Sequence, residues 1–232
     1  MLKNKKKNLI MDVGPSPNRK FSNNYQAGAL SFEFISNGAK VLTNSGYHAS
    51  KNIKLNELSR SSASHNVLTI DDNSSCKFKK KNNSELEIKD GLKITHKKIV
   101  CEKNYWKIVA EHDGYLKKYN LFYRREIEFY PENDKLIGID KIIGKKMIPS
   151  LKFDIRFHLN PSTKIMKTQD NKSILIELEN EGWKFTCDDY EINIDNGIYF
   201  ANKNAYTENQ NIFISGITNS QNNYIKWELS KI

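Results

Sequence analysis

Long apolar runs are missing from this chain of 232 residues, so no stretch has the length a membrane-spanning helix needs. The basic opening MLKNKKKNLIMDVG offers only "LIM" before Asp12, where a secretory signal needs roughly 7–15 apolar residues. As written, the chain carries no export signal and reads as cytoplasmic. Cysteine is scarce: Cys76, Cys101 and Cys187 are odd in number, far apart and free of any CxxC pairing. That argues against a disulfide framework or a cysteine zinc site, and for thiols packed as small hydrophobes. There is no glycine-rich phosphate loop, no HExxH, no internal repeat and no nucleic-acid-binding motif. Arginine is rare too. Only Arg19, Arg60, Arg124, Arg125 and Arg156 stand among 37 basic residues.

The formal charge is +10, against 27 acidic residues. It has a plain reading, since Lys, Asn and Ile crowd together as AT-rich coding would make them. Its functional reading is attraction to a polyanion. The lysines are scattered, apart from KNKKK near the start and KFKKK at 77–81, so nucleic acid is not the expected partner. Apolar residues are 38% of the chain, and they are grouped well enough to build a core.

What is present in quantity is period-two alternation. LKFDIRFHL (151–159) sets Leu151, Phe153, Ile155, Phe157 and Leu159 on one face and Lys152, Asp154, Arg156 and His158 on the other. That pattern predicts a strand with one buried face. ALSFEF (29–34), YWKIVA (105–110), LFYRREIEF (121–129), KLIGIDKII (135–143) and SILIELE (173–179) read as strands. So do GWKFTC (182–187), YEINI (190–194), NIFISGI (211–217) and NYIKWEL (223–229), with turn clusters such as PEND and QDNKS between strands. KNIKLNELSR (51–60) has mixed spacing and reads as a short helix or an irregular loop. The expected fold is all-β, a large antiparallel β-sandwich of two curved sheets with little helix. Residues 1–20 read as a flexible basic lead-in, and 21–232 as one sandwich domain.

Five histidines are the first candidates for chemistry: His48, His65, His96, His112 and His158. His96 sits among basic residues and reads as solvated. His112, in AEHDGY, ends a strand and enters a turn, a common place for sites. His158 shares a strand face with Arg156 and Asp154, a face that is either solvated or lines a groove.

Several segments, in order, resemble one family. They are DVGPSP, QAGALSFEF, GAKVLTNSG, RSSASHNVLTIDD, EHDGY, YRREIEF, LIGID, RFHLNP, GWKF and IKWEL. Together they resemble the C-terminal β-sandwich domain of heparinase II/III-like polysaccharide lyases, from about residue 10 to the end. The resemblance implies β-elimination on a uronic-acid polysaccharide, and with it a periplasmic or cell-envelope setting. Such chemistry needs a group to neutralise the uronate, a base for the adjacent proton and an acid for the leaving oxygen. In the family an α-helical toroid supplies part of this and the sandwich edge the rest, sometimes with zinc. The resemblance puts His65, Arg60 and His112 forward as catalytic candidates, and Arg124, Arg125, Gln26 and Asn44 as substrate-binding ones.

The departures matter as much. Asn24 and Gln26 stand at the family's histidine positions, Gly28 at the aspartate of zinc-bearing members, and Asn44 at a strand-end aspartate. Tyr123 stands where many members carry a histidine before the two arginines. One histidine among amides is a poor zinc site, so no metal or other cofactor is expected. The expected partners are an acidic, glycosaminoglycan-like polysaccharide and a separately encoded toroid. The isolated chain is expected to be inactive. A non-catalytic carbohydrate-binding or assembly module, or a basic sandwich with no sugar role, remains open beside the lyase reading. So does a scaffold role for Arg60, bonded to backbone carbonyls, and for His65.

Overall fold

A computed structural model describes residues 1–48, 52–81, 85–147, 149–200, 205–218 and 222–232. Along the chain run β1 (Leu2–Lys3), β2 (Lys7–Met11), β3 (Phe32–Ser36), β4 (Ala39–Leu42), helix α1 (Ile53–Arg60), β5 (Leu68–Ile70), β6 (Lys77–Lys80) and β7 (Leu86–Asp90). Next come β8 (Ile94–Cys101), β9 (Trp106–His112), the single-turn α2 (Leu116–Tyr119), β10 (Leu121–Tyr130), β11 (Lys135–Gly144) and β12 (Lys152–His158). The last are β13 (Lys164–Lys167), β14 (Ser173–Glu177), β15 (Gly182–Cys187), β16 (Ile192–Tyr199), β17 (Thr207–Ile217) and β18 (Asn222–Lys231).

One layer is an eight-stranded sheet, ordered β13-β14-β15-β18-β11-β10-β9-β8. Two four-stranded sheets, β1-β2-β3-β4 and β16-β17-β12-β5, face it. The seam between those two is closed by Asn66, whose amide donates to the Phe32 carbonyl (2.8 Å) and accepts from the His158 backbone N–H. Rings from the layers interdigitate: Phe32 stacks on Trp227 at 5.6 Å, and Phe157 meets Phe185 at 4.8 Å and Trp227 at 4.8 Å. Gly138 of β11 lies directly across from Trp227 of β18, and a Cβ there would sit 2.0 Å from the indole. The expected antiparallel all-β sandwich is what forms.

The lead-in is different from expectation. β2 pairs with β3, setting Leu9 opposite Phe34 and Met11 opposite Phe32, and Leu9 is fully buried. Lys7 is buried as well. Its ammonium donates to Ser36 Oγ at 2.7 Å, pairs with Asp134 at 2.7 Å and lies over the Trp183 ring. Two things hide this strand in the sequence. The contiguous "LIM" conceals an in-out-in alternation, with Ile10 facing out, and a core-facing lysine looks like a solvated one. The rest of the segment is tethered by Asp12 N–H to the Ser31 carbonyl, Ser16 N–H to the Leu92 carbonyl, and an Arg19–Glu87 ion pair.

α1 explains its own ambiguity. Asn52 caps it, accepting from the N–H groups of Lys54 and Leu55. Its inward face is polar (Asn56, Ser59, Arg60), while Leu58 is exposed. An apolar stripe at helical spacing is therefore absent because the core does not ask for one here.

Candidate functional site

Arg60 ends α1 with its guanidinium fully enclosed. Nε donates to the Tyr25 carbonyl (2.7 Å), Nη1 to Leu86 (3.1 Å) and Nη2 to Ser22 (2.7 Å), with the Phe78 ring 4.3 Å away. Burial pulls its pKa below the usual arginine value. Three carbonyl acceptors from two segments are thereby satisfied, two of them in the loop that carries Gln26. Gln26 itself is half-buried.

A short 3-10 turn, Ser62–Ser64, delivers His65 into extended backbone. The imidazole is buried, and its pKa falls to about 3, through burial first and the charge of His158 second. Gly28 lies against it: a Cβ on Gly28 would come within 3.0 Å of the ring. A side chain at that position would press on this imidazole, which would have to give by a few tenths of an ångström. His65 Nε2 has no hydrogen-bond partner among the described residues. Asn44 does not reach it, since its Oδ1 accepts from the Asn66 N–H (2.9 Å) and its amide nitrogen contacts Glu33. Zinc does not fit this set. The donors are one imidazole and two amides, one amide oxygen is already engaged, and no group of three His, Cys, Asp or Glu side chains able to hold a metal occurs among the described residues.

His112 closes β9, also buried, between the rings of Tyr115 (5.8 Å) and Tyr123 (5.3 Å). Its Nδ1 accepts from the Gly114 N–H at 3.1 Å, which leaves the proton on Nε2, an atom without a described partner. Burial lowers its pKa to about 3. Arg125 is a fully buried hub. It grips Asp140 through Nε (2.6 Å) and Nη2 (3.1 Å), and its Nη1 donates to the Leu30 and Asn66 carbonyls. Asp140 also accepts from the Tyr123 hydroxyl and the Trp227 indole. Arg124 points to the other face, partly exposed, and pairs with Glu111 at 2.8 Å.

Asn44, His65–Asn66, Arg125, Tyr123 and His112 are thus joined, but through buried contacts. Arg60 is anchored to a different set of carbonyls, and Arg124 faces away.

An open groove lies beside this network. Ser45 and Ser64, chain neighbours of Asn44 and His65, line it together with Arg156, His158, Asp195 and Asn211, around a cavity of about 260 Å³. His158 Nε2 donates to the Ala63 carbonyl (2.9 Å), so Nδ1 accepts from the Ser45 hydroxyl (3.0 Å); burial lowers its pKa to about 4. The polar face of β12 is therefore partly buried, against the expectation of a single buried face, because the 3-10 turn lies over His158. Arg156 remains partly exposed. Its Nη1 donates to Asn211 (2.8 Å) and Asp195 (3.3 Å), and no bond of Nε or Nη2 is found among the described residues. Phe200, buried in the wall of this groove, packs against His48 and Tyr206, with centroids 5.6–6.4 Å apart. Alternation on β12 signalled Arg156 and His158. Nothing in the sequence joined them to Asp195 and Asn211, because that junction is made by the pairing of β12 with β17 and of β17 with β16.

Residues 1–228 match the family described as heparinase II/III-like, C-terminal. The chain belongs to that family. A curated relative, FtsZ-localized protein C of Caulobacter vibrioides (strain NA1000 / CB15N), is 24% identical over 236 aligned positions, which are 96% of this chain and 40% of the relative. Among solved structures, a mutant of the heparan sulfate lyase HepC from Pedobacter heparinus superposes with TM-score 0.76 at 13% identity, over 96% of this chain and 32% of that one. A heparinase III with methylated lysines gives 0.72 at 15% identity, over 97% and 32%. This heparinase II/III-like chain therefore shares the fold of about a third of each of those solved chains and spans less than half the length of the relatives it matches.

Proposed function

We propose that the chain is the saccharide-holding sandwich of a heparinase II/III-like protein, one that grips an acidic polysaccharide in the Arg156 groove and leaves proton transfer to groups outside this chain. The observation that carries this reading is the contrast in availability. His65, His112, Arg60 and Arg125 are enclosed and held in neutral or fully bonded states, whereas the adjoining groove offers a half-engaged guanidinium beside the polar side chains of Asp195, Asn196 and Asn211. Arginine forks suit carboxylate and sulfate. An α-helical toroid, as the family resemblance implies, is the proposed source of the missing base and acid.

Titration calorimetry with heparan sulfate oligosaccharides tests the groove. Binding is expected to weaken at least about ten-fold in Arg156→Ala, with Arg60→Lys and Arg124→Ala changed little by comparison. Unchanged affinity in Arg156→Ala would sink the assignment.

A second reading, in which the chain itself takes part in β-elimination, is favoured by the bare Nε2 atoms of His65 and His112. The unsaturated uronate product absorbs in the ultraviolet. The first reading expects no such product from the isolated chain, and turnover abolished by His65→Ala would establish the second.

A further inference from the structure

A second cavity, of about 350 Å³, opens where the β6–β7 hairpin meets α2, and it shares no lining residue with the groove. Lys77, Lys89, Lys117 and Lys118 line it with a single carboxylate, Asp90. That carboxylate is already claimed by Lys117 at 2.7 Å, and its pKa is held below the ordinary value by this bond first, then by the charges of Lys117, Lys77 and Lys89. The neutral lining groups point the same way. Tyr119 accepts from the Asn73 amide (2.9 Å), and Ser74 accepts from the Ser62 N–H (2.9 Å), so each hydroxyl keeps its own proton to give. The Asn73 side-chain oxygen is occupied by Lys118 at 3.0 Å. Lys77 and Lys89 are exposed, and their side-chain ammonium groups form no hydrogen bond or ion pair among the described residues. The cavity thus presents donors and positive charge while its carboxylate and side-chain amide acceptors are engaged. A cation or a neutral acceptor-seeking group has little to bind here; a compact anion has much.

We infer that this lysine cleft is an anion subsite for the sulfate or carboxylate groups of an acidic saccharide chain. The ligand class rests on the function proposed above, but the site does not, because it is built from other residues. Lysines on flexible stems, with no arginine among them, suit charged groups at variable spacing rather than one planar carboxylate held in register. The saccharide would be met at two places, by a positioned guanidinium in the groove and by a looser cationic cleft.

The test uses the full chain, a sulfated heparan oligosaccharide and its desulfated, N-acetylated counterpart, with calorimetry at several salt concentrations. Lys77→Glu/Lys89→Glu is expected to weaken the sulfated ligand about ten-fold and to flatten its salt dependence, since each reversal turns an attraction into a repulsion. Lys97→Glu/Lys98→Glu, equally exposed on β8 but outside the cleft, is the control and is expected to change affinity much less. Equal losses in both variants would mean diffuse attraction by the whole charge, and no loss in the cleft variant would remove the site; either overturns the inference. Melting temperatures within about a degree of the parent protein confirm intact folding. Arg156→Ala separates the two sites. If it leaves both ligands unaffected while the cleft variant loses the sulfated one, the groove falls and the cleft stands. If it abolishes both while the cleft variant binds normally, the reverse holds.

Discussion

Arg125 and Arg156 sit in similar surroundings and are used differently. Each lies mid-strand with an aspartate within hydrogen-bonding reach and a phenylalanine ring nearby. Around Arg125 both layers close. Asp140 takes both prongs of the fork, and two backbone carbonyls and the Tyr123 and Trp227 donors complete the shell. Around Arg156 the β16–β17 edge leaves a gap, and its aspartate is half in solvent. The same residue type is a fastening where every donor has an internal partner, and keeps donors open to the proposed ligand where some do not. Location within the layers decides this, not the local sequence.

Breaking the closed side should be the costliest change. Asp140→Ala leaves a buried guanidinium without its counter-charge and should lower stability by about 3–5 kcal/mol in urea unfolding. Gly138→Ala drives a methyl into the Trp227 ring that roofs the same hub and should be of comparable severity. If either variant unfolds at the midpoint of the parent chain, the hub does not hold the layers together.

Acid attacks the same interior. His65, His112 and His158 are kept neutral in the fold, with pKa values of about 3, 3 and 4. In the unfolded chain each takes up a proton below about pH 6.5. Stability should therefore be full above about pH 6.5 and fall as pH drops toward 3–4. Between pH 7 and about pH 5.5 the loss should be roughly 1 kcal/mol per imidazole, or about 3–4 kcal/mol together. That window lies above ordinary carboxylate titration, so His112→Phe should remove about a third of the slope. A flat profile there would mean that water or a proton already reaches these rings.

Arg60 belongs with the closed side, and Arg60→Ala orphans three carbonyls. A loss of about 2–3 kcal/mol is expected, with Arg60→Lys intermediate, read by thermal melts alongside oligosaccharide affinity. Affinity that falls while stability holds would return Arg60 to the ligand-binding edge.

The strands were legible where alternation was unbroken: GWKFTC spans β15 residue for residue, and LKFDIRFHL centres on β12. β2 was not, because its lysine points inward, and exposed β8, with Lys97 and Lys98 in the open, has no apolar face to read. The segment order around QAGALSFEF and RSSASHN was enough for the family. It was not enough for the roles of Arg60 and Arg125, since enclosure depends on Ser22, Leu86, Leu30 and Asp140, which are remote in sequence. The groove was half legible, as a polar strand face whose other wall comes from β16 and β17.

The smallest predicted effect tests the open side. Asp195 takes one bond from Arg156 and is half exposed, so it contributes little to stability but sets a negative charge where a uronate or sulfate would lie. Asp195→Asn keeps the shape and a hydrogen-bond acceptor while removing that charge. Unfolding free energy should shift by no more than about 0.5 kcal/mol, as for an exposed pair. Affinity for an acidic oligosaccharide should rise about two- to three-fold, most at low salt, because both the repulsion and the competition for the guanidinium are relieved. A neutral oligosaccharide should bind as before. Arg156→Ala on top of Asp195→Asn should erase the gain, since the two act on one ligand charge. If instead Asp195→Asn weakens acidic and neutral ligands alike, the carboxylate is itself a sugar-hydroxyl acceptor. The groove would then select a neutral ring, with the acidic group recognised elsewhere.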